Sequence, residues 1–235
     1  MSTKRLTAAF LFVALSLPAW AASSTRQDDL ARIHSSARVF SQVMHTPDKG
    51  IPQEILEGAR CIAIIPGEKK LAFVFGGSYG KGLVTCRDTH TASGWTAPLF
   101  ITVGGGSWGA QIGGQSSDIV LIIRSRHGAE RMLSNKFKIG VNASAAAGPV
   151  GRHVSAETNP TLNAEILSYS RSKGAFAGVS LAGAVVQPDA TGNRAMYGRT
   201  VTSDQVLNGH VRFPAAARDL AHVLTVYTRA AERKG

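Results

Sequence analysis

Hydrophobic positions along the chain change period twice. From Leu30 they recur at Ile33, Ala37, Phe40 and Met44, a 3-4-3-4 spacing that predicts a helix from Asp28 to Met44. From Cys61 they gather instead into short runs of β-branched and aromatic residues: Cys61 to Ile65, Leu71 to Phe75, Leu83 to Cys86, Leu99 to Val103 and Ile119 to Ile123. Such runs, separated by glycine-bearing connections, predict successive strands of one sheet. After Phe213 the helical period returns at Ala217, Leu220, Ala221, Leu224 and Tyr227, with Pro214 in a first turn, predicting a C-terminal helix over 213–234.

The connections sort the strands. Pro66 to Lys70, Gly76 to Gly80 and Arg87 to Gly94 are each shorter than the crossover of a dozen residues that parallel neighbours need, so the sheet is expected to be mainly antiparallel. Thr46 to Gly50 breaks the first helix, and Ile51-Pro52 opens a short one that delivers the chain to Cys61. Arg126 to Ser134 turns helical in composition, whereas Lys136 to Ala147, Ala164 to Ser170 and Ala175 to Val186 read as later strands. Asp189 to Asn208 is polar and glycine-bearing, and reads as short helical turns and loop. Glycines at 76, 77, 80, 82, 104 to 106, 109, 113 and 114 permit bulges and sharp bends, and opening backbone N–H groups toward a phosphate is their second reading. The expected fold is a single α+β domain: a strongly bent, mainly antiparallel sheet, barrel-like if it closes, flanked by N- and C-terminal helices.

Ahead of that domain, Lys4 and Arg5 precede the apolar run Leu6 to Leu17, Pro18 breaks it, and Ala19-Trp20-Ala21 supplies a small-x-small cleavage pattern. Residues 1–22 read as a secretory signal peptide, leaving 23–235 as the folded unit in the periplasm or outside the cell. A run this short falls below the roughly 20 residues of a spanning helix, and no cysteine stands at the cut to take a lipid. Loss of Lys4 and Arg5 lowers the formal net charge from +11 to +9. A strongly basic exported protein points to an anionic partner, such as a phospholipid surface or an acidic polysaccharide, rather than to nucleic acid. An oxidising compartment permits a bridge between Cys61 and Cys86. Spacing leaves that bridge open: a simple three-strand meander puts the two at opposite ends, beyond the roughly 7 Å limit, and a coiled sheet brings them together.

Catalytic motifs fail on their flanks. Gly105 to Gly109 and Gly76 to Gly80 both fit G-x-S-x-G, but Ala110 to Ser117 lacks the helical pattern that a nucleophile elbow at Ser107 requires. Gly80-Lys81 has no glycine five positions earlier and Gly82 where Ser or Thr belongs, so it is not a phosphate-binding loop. Seven histidines show no ligand-like spacing and there is no C-x-x-C, so no metal or cofactor is expected. What remains is binding: basic residues cluster at connections, and Lys69, Lys70, Lys81, Arg87, Lys136 and Lys138 are the predicted contacts to an anionic lipid surface. The helix from Asp28 to Met44 reads first as packed on the core and second as membrane-facing. An envelope interaction module pairing through glycine-rich edge strands is the alternative, and a hydrolase at Ser107 trails both.

Six segments together carry a resemblance: CIAIIPGEKK, FVFGGSYGKGLVTCR, GWTAPLFITVGGGSWGAQIGGQSSDIVLII, LSNKFKIGVNASAAAGPVGR, LNAEILSYSRSKGAFAGVSLAGAVV and NRAMYG. Over residues 30–198 the chain resembles the SYLF domain family, in the form of a stand-alone bacterial exported member. The resemblance implies lipid binding. Eukaryotic relatives bind phosphoinositides with help from an amphipathic N-terminal helix, and fungal relatives also bind and bundle actin filaments. It supplies no catalytic residues. For an exported protein it implies affinity for anionic phospholipids in general.

Overall fold

The computed structural model describes residues 26–46, 50–72, 76–88, 90–107, 113–132, 136–151, 163–172 and 175–232. The proposed signal peptide lies outside the described residues, as do 73–75 of one predicted strand and the Trp108–Gly109 end of the serine motif.

The sheet is α+β in context and strongly curled into a half-barrel. Its strands are β1 (Cys61–Ala72), β2 (Gly76–Cys86), β3 (Leu99–Ser107), β4 (Gly113–Ile123), β5 (Phe137–Lys138), β6 (Ala145–Ala147), β7 (Ile166–Ser172), β8 (Ala175–Gly178) and β9 (Val185–Pro188). They run in the order β5-β9-β3-β2-β1-β4-β7-β6, with β8 paired to β7, and every pairing is antiparallel except β6 with β7. Both faces are covered, which is why Cys61 to Ile65 and Ile119 to Ile123 are apolar without alternation. Ile62, Ile64, Val120 and Ile122 join one buried cluster, and Cys61, Ala63, Ile65, Ile119, Leu121 and Ile123 join the other.

Three helices cover the first face: α1 (Arg26–Met44), α2 (Gln53–Glu57) and, late in the chain, a helix at Arg218–Glu232. Ile33, Phe40 and Val43 of α1 are fully buried there, and Leu30 and Met44 lie half-buried at its rim. The apolar stripe of α1 is therefore core, not a face offered to a membrane. The second face is closed by α3 (Arg126–Met132), β5, and the segments around Leu181, Val201, Val206 and Val211.

One structural correction concerns the first strands. Pro66 to Lys70 is not a turn: β1 runs straight through it as a bulge, with register shifts between Ile64 and Lys69 toward β2 and between Ile65 and Glu68 toward β4. Proline is tolerated there because a bulge leaves a backbone position without a ladder partner. Gly67 takes φ +61 and its N–H donates to the Asp118 carboxylate at 3.0 Å. In place of a simple three-strand meander, β1 and β2 form one long hairpin, and Cys61 faces Cys86 directly in register. They form a disulfide, both residues buried in the second cluster. Glycine shapes the same place. A Cβ on Gly82 would sit 2.7 Å from Ile65 Cγ1 and closer still to the Ile64 carbonyl oxygen.

Later elements follow the expected order with finer breaks. The run 136–147 holds two short strands around a turn, and 175–186 splits into β8 and β9 around Leu181 to Gly183. The polar stretch after Asp189 forms α4 (Ala190–Tyr197) and α5 (Ser203–Leu207), the latter closed by a Thr202–Gln205 capping box. A 3-10 turn at Ala215–Ala217 then leads into α6 (Arg218–Glu232).

Candidate functional site

An open cleft of about 360 Å³ lies between α1 and the β1–β2 hairpin, lined by Asp28, Arg32 and Ser35 from α1, Pro66 and Gly67 from the bulge, and Tyr79 to Lys81 from β2. Its floor is a charged cluster. Arg32 Nη1 bonds the fully buried Asp29 at 2.7 Å and stands 3.8 Å from Asp189, while Lys81 Nζ reaches Asp189 Oδ2 at 3.0 Å. The Arg32 guanidinium also lies 5.4 Å from the Phe100 ring centre. Burial alone would raise the Asp189 carboxyl, but the Gly192 N–H, Lys81 and Arg32 together outweigh it and hold the group below the ordinary carboxylate range. The two cations are therefore compensated by two carboxylates from within the fold. The cluster ties α1, β2 and α4 together, and it presents no ready-made surplus of positive charge.

Asp189 also caps α4, its Oδ1 accepting from Gly192 N–H at 3.1 Å. Next to it, Asn193 brackets the Phe100 backbone: Phe100 N–H donates to Asn193 Oδ1 and Asn193 Nδ2 donates to the Phe100 carbonyl, both at 2.9 Å. Tyr197 donates its hydroxyl to the Pro98 carbonyl, and burial followed by the nearby Asp29 charge pushes that phenol well above its usual range. Gly198 ends α4 with φ +69. The NRAMYG segment is thus a clamp on β3.

The six predicted lipid contacts are spread along the sheet path over β1, β2, β5 and the positions beside them. Lys69 and Lys70 sit in the central strand β1, opposite Tyr79 and Ser78 on one side and Ser116 and Gln115 on the other. Lys81 is not at a turn but inside β2, engaged by Asp189. Arg87 is likewise turned inward: its Nε and Nη2 donate to the Ala59 and Leu56 carbonyls, and its guanidinium stacks on Trp95. Lys136 and Lys138 are exposed at the other end of the sheet, on β5 and just before it. Asp189, Arg32 and Asn193 went unread in the sequence because they meet partners far along the chain, Arg32 and Asp189 being 157 positions apart; the local signs were the i,i+3 spacing of Asp29 and Arg32 and Asp189 three residues before Gly192, an N-cap spacing.

Ser107 ends β3 opposite Gly76 and the chain is strand again at Gly113; the turn after Ser107 that an elbow needs lies outside the described residues. Among the described residues no group of three or more His, Cys, Asp or Glu side chains is placed to hold a metal ion, and no helix is long and apolar enough to cross a membrane.

Comparison with known proteins gives this arrangement a lineage. Residues 104–227 match the Ysc84 family, described as the Las17-binding protein actin regulator. Protein YSC84 of Saccharomyces cerevisiae is 35% identical over 181 residues, covering 75% of this chain and 38% of that protein. The SH3 domain-containing YSC84-like protein 1 of Homo sapiens is 31% identical over 201 residues, covering 84% of this chain and 58% of that protein. An SH3 domain-containing protein of Schizosaccharomyces pombe is 38% identical over 178 residues, 74% of this chain and 40% of its own length. The chain thus spans about 40 to 60% of these relatives, and the clamp and α6 as far as Tyr227 fall within the matched residues. It belongs to the Ysc84, or SYLF domain, family.

Proposed function

We propose that this protein is an exported, non-catalytic binding domain that attaches by charge to anionic phospholipid surfaces. The observation that carries the reading is the segment Arg126 to Asn142, which holds four basic residues, Arg126, Arg131, Lys136 and Lys138, and one acid, Glu130. Arg131, Lys136 and Lys138 are exposed. Each basic side chain close to an anionic bilayer is worth about 1 kcal/mol, so three concentrate useful affinity without any pocket. The buried disulfide supports the exported part of the reading, since such bridges persist in oxidising compartments.

Vesicle flotation tests it. Binding is expected to vesicles containing phosphatidylglycerol, to be absent with pure phosphatidylcholine, and to fall as salt shrinks the screening length from about 30 Å at 0.01 M to about 3 Å at 1 M. Equal binding to neutral vesicles, or binding indifferent to salt, would count against it. The names of the fungal relatives favour a second reading, a protein-interaction module, with β5 and β6 at the two ends of the sheet path as pairing edges. That reading expects a protein in pull-downs and no lipid co-purifying in native mass spectrometry.

A further inference from the structure

The turn that joins β5 to β6 carries a feature the fold does not use. Val141 is 69% exposed, the most exposed of the large hydrophobic residues described. It is not there through looseness. Val141 N–H and Asn142 N–H both donate to the Lys138 carbonyl, at 3.2 and 2.9 Å, and Gly140 N–H donates to the Ala143 carbonyl at 3.1 Å. Lys138 N–H donates to Asn142 Oδ1 at 2.6 Å, and Arg131 Nη1 donates to the Asn142 carbonyl at 2.7 Å. Gly140 takes φ +78, a left-handed conformation that lets the chain turn so tightly. Ile139, fully buried, anchors the turn, exchanging backbone bonds with Ala184 and Gly183 at 2.9 and 2.8 Å. This second loop brings Ala182 and Gly183 to the same tip: both are exposed, and a Cβ on Gly140 would stand 3.2 Å from Ala182 Cβ.

The tip therefore offers Gly140, Val141, Ala182 and Gly183, all without polar side chains, with exposed Arg131, Lys136 and Lys138 behind it. Lysines on an edge strand such as β5 guard against edge-to-edge pairing, but that role gives no reason for a rigidly held, exposed valine. An apolar tip ringed by cations suits one environment, the interface of an anionic bilayer, where the valine enters the acyl boundary and the long basic side chains stay with the headgroups. We infer that the Lys136–Asn142 turn is the membrane-docking element, with Val141 inserting. Helix α1 is the alternative element that sequence suggests, but its apolar face is already buried in the core. The inference rests on the lipid-binding reading above and names the site for it.

The experiment uses the full chain and vesicles of phosphatidylglycerol mixed with phosphatidylcholine. Val141→Asp is expected to weaken binding at least about tenfold, since it removes the inserting valine and adds a repelled charge. Lys136→Ala with Lys138→Ala is expected to weaken it about thirty-fold at low salt. Val141→Cys carrying a polarity-sensitive fluorophore should shift blue on vesicles, while the same label at Val226→Cys on α6 should not; the two native cysteines are bridged and do not label. Unaltered circular dichroism of the variants separates docking from folding. If wild-type protein binds but Val141→Asp binds equally, or only the Val226 label responds, the docking assignment is overturned and the lipid reading stands. If wild-type protein binds no vesicle of either kind, both fall. If Val141→Asp abolishes capture of a protein partner while vesicle binding is intact, the turn belongs to that partner.

Discussion

Breaking the Cys61–Cys86 bridge is the sharpest perturbation the fold offers. The two residues are register partners on adjacent strands and are separated by 25 positions, so the bridge closes the entire β1–β2 hairpin. Closing a loop of that length removes unfolded-state entropy worth about 3.5 kcal/mol at 25 °C. The reduced thiols would remain in the second buried cluster as small apolar groups, so native contacts survive and the loss falls on the unfolded chain. Against a total stability of roughly 5 to 15 kcal/mol, that is a large share. For a domain of this size it corresponds to a fall in Tm of about 7 to 14 °C. Equilibrium unfolding in guanidinium with and without dithiothreitol, alongside Cys61→Ala with Cys86→Ala, measures it. A midpoint change worth less than about 1 kcal/mol would refute the reasoning, and so would alkylation of both cysteines in the native protein before reductant is added.

The charged cluster predicts a pH dependence. The folded Asp189 carboxyl titrates below its unfolded counterpart, so its contribution is complete above the unfolded value and drains as pH falls through the folded one. Urea midpoints should therefore drop on acidification below the ordinary carboxylate range, less steeply in Asp189→Asn; at neutral pH Asp189→Ala should cost about 3 kcal/mol, from a broken buried pair and a lost cap. Asn193→Ala leaves the Phe100 N–H and carbonyl without their side-chain partner, and a loss of about 2 to 3 kcal/mol in chemical denaturation is expected. Gly82→Ala drives a methyl against the β1 backbone and should cost more than about 2 kcal/mol by thermal melting, whereas Gly77→Ala, with nothing nearer than 3.9 Å, should change stability by less than about 0.5 kcal/mol.

Much of this architecture is legible in the chain because it is local. The 3-4 spacing of Leu30 to Met44 and of Ala217 to Tyr227 does give α1 and α6, and the runs at Cys61, Leu83, Leu99 and Ile119 do lie in strands. Short connections meant antiparallel neighbours, and among the described strands seven of the eight pairings are antiparallel, the exception being the parallel contact of β6 with β7 across a longer excursion. Where the reading went astray, at Pro66 to Lys70, a proline and a glycine marked a turn in sequence but a bulge in the sheet; the two share the same local backbone demand.

Basic residues show the limit most plainly. Sequence marks Lys81, Arg87, Lys136 and Lys138 alike as cations near glycine-bearing connections. Only the tertiary structure sets Lys81 on Asp189 and Arg87 on the Ala59 and Leu56 carbonyls, and leaves Lys136 and Lys138 exposed beside Val141. Period and propensity decide which segments become strands and helices, because those signals repeat every two or 3.6 residues. Which charge is neutralised and which faces outward depends on partners brought together from distant positions, and that is settled by the sheet's register and curl.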